Sequence, residues 1–254
     1  MKCCVLASGS KGNCTYIEYN NTKILIDLGT TSLYAEKKLK DIDVDPKDIK
    51  AILITHTHVD HINGLKVFIK KYNPKIYLSE IMHKELKNDI TLTNYEYIDG
   101  DFTIDDLKIN VIKTSHDTED SNGYIVESSD SSIVYVTDTG YINQKNFKKL
   151  TNKNVYIFES NHDVEMLMNG RYPYNIKQRI LGDKGHLSNK DAGYYLSKLI
   201  GDNTKQVILA HLSHDNNTDE IALKTVKEEL KTSEIEFDNI IIAHQESRTE
   251  LIEV

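Results

Sequence analysis

Thr55-His56-Thr57-His58-Val59-Asp60-His61 follows directly on the apolar run Ala51-Ile52-Leu53-Ile54, and this junction decides how the 254-residue chain is read. The run is short, continuous and uncharged, the pattern of a strand buried on both faces. Three of the ten histidines then fall within six residues. A sharp exit from a rigid strand fans such side chains toward one point, and neutral imidazoles with a carboxylate are the donors that suit zinc, manganese or iron. A lone histidine here would read as part of a solvated polar turn; three with an aspartate read as a metal site.

Upstream of the junction, short strands are expected at Cys3 to Ala7, Thr15 to Glu18 and Lys23 to Asp27, with Asn20-Asn21 as a hairpin turn, so an antiparallel meander opens the fold. Ser32 to Lys40 turns helical. Downstream, Gly64 to Lys71 is amphipathic and helical and Lys75 to Leu78 is a strand after Pro74. Strands recur near Leu107 to Thr114, Tyr124 to Glu127, Ile133 to Val136, Val155 to Glu159, Val207 to Ala210 and Ile240 to Ala243. Helices are expected near Asn175 to Leu181, Lys190 to Ile200 and Glu220 to Leu230. Two β-rich halves finished by helices predict an α/β chain built as two sheets covered by helices on both outer faces. No linker or fixed-period repeat divides it, so one domain over 1–254 is expected.

Hydrophobic residues at 39% and charged residues at 28% suit a globular chain. No apolar run is long enough to cross a bilayer, and Met1 leads into a strand-like segment without a signal-peptide pattern, so no membrane association and a cytoplasmic location are expected. Cys3, Cys4 and Cys14 have no spacing for a thiolate zinc site and read as reduced, buried thiols. A net charge of -8 argues against coating nucleic acid by bulk electrostatics, so a polyanionic substrate has to meet a local basic or metal-bearing surface. Lys37-Lys38-Leu39-Lys40 and Lys148-Lys149 read first as solvated helix faces.

The H-x-H-x-D-H pattern, matched by His56, His58, Asp60 and His61, resembles the defining motif of the metallo-β-lactamase superfamily. Other segments fall in that family's order: Asp27 in Ile24-Leu25-Ile26-Asp27, His116 in Thr114-Ser115-His116-Asp117, Asp138 in Val136-Thr137-Asp138-Thr139-Gly140, and His211 in Leu209-Ala210-His211-Leu212-Ser213. Ala7-Ser8-Gly9-Ser10-Lys11-Gly12-Asn13-Cys14, Glu159-Ser160-Asn161-His162-Asp163 and Gly185-His186-Leu187-Ser188 are similar to the YycJ/WalJ group of DNA exonuclease-like hydrolases, and the likeness runs over nearly the whole chain. No long tRNA-clamping insertion of tRNase Z and no inserted β-CASP domain is evident.

The resemblance implies a single-domain four-layer αββα sandwich and two divalent metal ions, zinc, manganese or iron. His56, His58 and His116 would hold one, Asp60, His61 and His211 the other, and Asp138 would bridge them. It further implies a metal-activated hydroxide attacking a phosphodiester, with Asp60 orienting it, His186 assisting the leaving group and nucleic acid, DNA before RNA, as substrate. Asp27 would brace the metal loop from behind. His186 could instead serve as packing or capping before the helix that Ser188 begins. The same metal core cleaves thioesters in glyoxalase II-like enzymes, the competing enzymatic reading, and a non-catalytic metal-binding protein is the competing class.

Independently of the resemblance, the loop Ser8 to Asn13 is rich in small residues that expose N-H groups, making Ser10, Lys11 and Asn13 candidates for phosphate contact against an ordinary turn. His162, just past a strand end, is a candidate substrate contact. His214 stands near His211 as a weaker ligand choice, and His83 and His244 read as structural.

Overall fold

The computed structural model describes residues 1–254. Six strands build the first sheet: β1 Lys2–Ala7, β2 Cys14–Tyr19, β3 Thr22–Ile26, β4 Ala51–Leu53, β5 Lys75–Leu78 and β6 Tyr95–Tyr97. Seven build the second: β7 Phe102–Ile104, β8 Leu107–Lys113, β9 Asn122–Glu127, β10 Ser132–Val136, β11 Val155–Glu159, β12 Gln206–Ala210 and β13 Ile240–Ile242. A last strand, β14 Ile252–Glu253, returns to pair with β1 at the edge of the first sheet. In each sheet an antiparallel part precedes a parallel one: β1 to β3 then β3 to β6, and β7 to β10 then β10 to β13.

Strand side chains alternate between two apolar environments, because every central strand is covered on both faces. Cys3 and Val5 of β1 pack with Ile109, Val126, Ile157 and Ile208 between the sheets, while Cys4 and Leu6 point outward with Leu39 and Phe68. The outer cover of the first sheet is α1 Ser32–Lys40, the one-turn α2 Val59–Ile62, α3 Leu65–Tyr72 and α4 Glu80–Leu86. The second sheet is covered by α5 Phe147–Leu150, α8 Asn189–Leu199 and α9 Asp219–Thr232, whose Leu196, Val226 and Leu230 join Phe158 and Leu209 in a third apolar cluster. The result is the four-layer αββα order. All three cysteines are buried and free. No helix is long and apolar enough to cross a membrane.

Two short helices, α6 Val164–Asn169 and α7 Tyr174–Leu181, leave this frame between β11 and α8. No residue of α7 is buried. Lys177 Nζ donates to the Met168 and Gly170 carbonyls and so ties α7 to the end of α6.

α1, β5 and β11 occupy the residues their patterns predict. The first meander's third strand ends at Ile26, not Asp27, because Asp27 turns left-handed at φ 59. Ile54, Thr114 and Ala243 likewise lie just past their strands. The stretch between β5 and β8 holds α4, β6 and β7, for which the sequence reading set no expectation. β6 is fully exposed and carries no inside-outside alternation to read.

Candidate active site

Four of the side chains singled out, and one further acid, lie where the parallel strands end. Asp27 follows β3, His56 follows β4, Asp138 follows β10 and His211 follows β12; Glu159 is the last residue of β11. Ligands gather in the crevice beyond the carboxyl ends of such strands. Asp27, Asp138 and His211 have φ of 59, 57 and 57, so three chain exits are made by left-handed turns that throw the side chain sideways into the crevice. Asp and His are among the residues that tolerate this conformation, which otherwise costs about 1–3 kcal/mol and persists where surroundings enforce it.

His56 and His58 follow β4, His58 in extended backbone at the N-terminus of α2, and α2 itself carries Asp60 and His61. The ring centroids of His56 lie 4.7 Å from His58, 4.0 Å from His61 and 5.0 Å from His116. Donor atoms of His56, His58 and His116 all fall within 4.8 Å of one another, and so do those of Asp60, His61 and His211. Asp138 lies between the two trios: its carboxylate is 3.2 Å from His61 Nε2, 3.8 Å from His116 Nε2 and 3.4 Å from His211 Nδ1. The structure thus brings together all seven side chains expected to hold metal. His56 Nε2 and His211 Nε2 are buried and lack any hydrogen-bond partner. Orphaned buried donors of this kind are costly in a polar site unless something binds them, and nitrogen and carboxylate oxygen are what a divalent cation takes. The residues present fit divalent metal binding.

The surroundings hold this cluster in place. Asp27, fully buried, accepts from Thr55 N at 2.8 Å, Thr55 Oγ1 at 2.8 Å and His61 Nδ1 at 2.7 Å. Burial works to keep His61 neutral, but the Asp27 and Asp138 carboxylates outweigh it and push the imidazole up to about 10. Burial raises Asp27 too, so the pair competes for one proton. We assign it to His61, because Thr55 offers the carboxylate two further donors. Burial, reinforced by the other imidazoles, holds His56 well below the ordinary histidine range. Asp138 is held well below the usual carboxylate range: burial opposes its charge, and the His211 and His61 imidazoles prevail.

Glu159 is the functional side chain that the sequence reading did not assign. It accepts from His186 Nδ1 at 2.7 Å, His211 Nδ1 at 3.1 Å, Thr139 N at 3.0 Å and Leu187 N at 3.2 Å. Burial would raise its carboxyl, but the His186 and His211 imidazoles lower it to about 2. The available signal was an acid closing the wholly apolar strand Val155-Tyr156-Ile157-Phe158, the same signal that singles out Asp27 after β3. Ser188 caps α8 by accepting from Asp191 N, so His186 stands before the helix and takes no part in the cap.

The remaining candidates separate. Ser10 lines a cavity of about 260 Å³ over the cluster, together with His58, Asp60, His116, Asp138 and His186. Asn13 is buried and braces the loop instead, its Nδ2 lying 3.0 Å from His61 Nε2 and donating to the Asp60 carbonyl at 3.2 Å. Lys11 is paired with Glu246 at 3.3 Å and lies outside the cavity. His162 is buried away from the cavity wall, its carbonyl accepting from Asn189 N, and the neighbouring Asn161 reaches the cavity in its place. His214 lines the cavity with its side chain 89% exposed, too free to serve as a fixed ligand. His83 meets Tyr95 edge to face and His244 faces Asp219, both away from the cluster. Arg179 and Tyr172, carried over the cavity by α7 and the turn before it, had no signal in the sequence; Arg179 pairs with Asp117, whose other oxygen is 3.4 Å from His116 Nε2 and 3.7 Å from His58 Nε2.

Residues 7–150 match the sequence pattern of the Metallo-beta-lactamase superfamily. The exodeoxyribonuclease YycJ of Bacillus anthracis is 38% identical over 232 residues, covering 89% of this chain and 88% of its own length. The exodeoxyribonuclease WalJ of Streptococcus pneumoniae is 36% identical over 238 residues, covering 91% and 88%. The crystal structure of the metallo-beta-lactamase fold protein YhfI from Bacillus subtilis superposes with a TM-score of 0.72 over 98% of this chain and 99% of that one, at 17% identity. Since the family pattern matches more than half of the chain and the two exodeoxyribonucleases share nearly its full length, the chain belongs to the metallo-beta-lactamase superfamily, in its YycJ/WalJ group.

Proposed function

We propose that the protein is an exonuclease-like phosphodiesterase acting on DNA with two divalent metal ions. His56, His58 and His116 hold one ion, Asp60, His61 and His211 the other, and Asp138 serves both. The observation that carries this reading is the pair of donor trios flanking one carboxylate, with buried nitrogen atoms left without partners. When bound, such a pair of cations supplies a water-derived nucleophile at neutral pH and neutralises charge on the phosphate. The His/Asp donor set suits zinc, manganese or iron.

The chain's own residues do the rest. Asp60, at the cavity and 3.6 Å from His211 Nε2, orients the attacking water. Glu159, ionised, accepts the Nδ1-H hydrogen bond of His186 and so stabilises its imidazolium form, whose Nε2-H proton passes to the departing sugar oxygen and leaves neutral imidazole. Arg179 gives the cavity a guanidinium of the kind that grips phosphate in two places, which a neutral thioester does not require. The names of the two full-length relatives favour DNA.

The test is direct turnover by metal-loaded protein on end-labelled DNA, bis(p-nitrophenyl) phosphate and S-lactoylglutathione, before and after chelation. The expected result is stepwise release of nucleotides from DNA ends, lost on chelation and restored by metal. Turnover of the thioester with no cleavage of either phosphodiester overturns the proposal.

A further inference from the structure

A second groove, about 410 Å³ in volume, is lined by Tyr141, Ile142, Phe147, Tyr194 and Tyr195. Its aromatic rings are turned outward: Tyr141 is 40% exposed and Tyr194 is 49% exposed. Tyr194 and Tyr195 stand 5.4 Å apart edge to face, and Phe147 meets Tyr195 at 6.0 Å. Exposed aromatics lining a groove are unusual where a core residue would be covered.

The groove joins the cavity through the chain itself. Tyr141 is three residues past Asp138, and three residues reach at most about 11 Å. Thr139 fixes that step, its N donating to Glu159 and its Oγ1 to the Tyr141 carbonyl. Gly140 presses against the Asp183 carbonyl so closely that a Cβ would stand 2.3 Å away, which pins the connecting turn under the segment leading to His186.

Around the groove stand four lysines that no carboxylate engages, in a chain whose net charge is -8. Lys190, Tyr194 and Lys198 follow one another at four-residue spacing along the solvent side of α8. Lys198 Nζ lies 5.5 Å from the Tyr194 ring centre. Neither lysine has an acidic partner, and neither do Lys145 and Lys148 on the segment carrying Phe147. The one acid in this stretch of α8, Asp191, is turned back to Ser188. A different exposed aromatic pair, Tyr95 and Tyr97 on β6, supplies the contrast: the lysines beside it, Lys75 and Lys84, are tied to Glu96 and Glu80.

Resting on the phosphodiesterase reading above, we propose that the groove of Tyr141, Phe147, Tyr194 and Tyr195 is a base-stacking subsite. It takes an unpaired base of the DNA strand a nucleotide or two from the phosphate held in the cavity, with the α8 lysines along the backbone. Exposed rings beside unpaired lysines are the means by which single strands are held without reading their sequence.

The test compares kcat/KM on single-stranded DNA with kcat/KM on bis(p-nitrophenyl) phosphate, which has no base to stack. Tyr194→Ala and Tyr141→Ala are expected to lower the ratio about 5- to 100-fold each, Tyr194→Phe to restore it, and Tyr97→Ala to leave it at the wild-type value. An abasic residue walked along the strand is expected to slow the wild type at one or two positions and to make no difference there to Tyr194→Ala. Unchanged ratios in both alanine variants, or indifference of the wild type to every abasic position, overturn the subsite while leaving the phosphodiesterase standing. Wild-type protein that cleaves neither phosphodiester overturns the function itself, and the subsite with it.

Discussion

Glu159 meets two histidines with different tasks, His211 in the donor cluster and His186 at the cavity wall, through the same carboxylate oxygen. His186→Ala is therefore expected to lower kcat on DNA by about 10²–10⁴-fold with metal content unchanged; lost metal, or undiminished turnover, contradicts its role as proton donor. The neighbouring His61 carries a proton that metal has to displace. Its imidazole is pushed up to about 10 by the Asp27 and Asp138 carboxylates against burial, so at neutral pH the metal-free protein holds it protonated. Binding leaves Nδ1-H on Asp27 and expels the Nε2 proton, the arrangement in which a carboxylate fixes a ligating histidine. Apparent affinity is then expected to rise as pH climbs from 6 toward 10, and calorimetric titration in buffers of differing ionisation enthalpy is expected to show net proton release. Affinity independent of pH over that range contradicts this assignment.

Around α2, the close passage of two chain segments sets the donor geometry. A Cβ at Gly29 would stand 1.6 Å from the Asp60 carbonyl oxygen and 2.7 Å from His61 N, so the turn after β3 touches α2 backbone to backbone. Gly29→Ala is expected to lower Tm by several degrees and to reduce the metal retained after gel filtration, because Asp60 and His61 move as one turn; full metal content in a stable variant contradicts it. These elements also show what the sequence discloses. α1 has a Thr31 cap, no helix breaker within it and basic residues in its last turn, all local signals, and its limits fall where the sequence puts them. The motif at residues 55–61 is equally local. α4 carried a readable Ser79 cap with Met82 and Leu86 buried four apart, a signal the sequence reading passed over. Arg179 and Asn13 were unreadable as site residues in their observed roles: one reaches the cavity from an exposed helix and the other is buried against α2, and only tertiary packing decides either.

Across the whole molecule, the sandwich is halved with unusual regularity. β1 to β6 and the returning β14 belong to one sheet and β7 to β13 to the other, and each half contributes to both donor trios: His56, His58, Asp60 and His61 from the first, His116 and His211 from the second. Metal at a hundredfold excess over its dissociation constant is expected to raise Tm by roughly 5–10 °C, in a single transition by scanning calorimetry. Two transitions, with only one moved by metal, would show that the cluster does not span the sheets. The short span between Tyr97 and Phe102 follows from the same division: it is the first of two passages between the sheets, the second being the return from β13 to β14. Scission there would sever no ligand from its own strand, so separately expressed fragments are candidates for an ion-dependent complementation pair, inert apart and hydrolytic only when reunited.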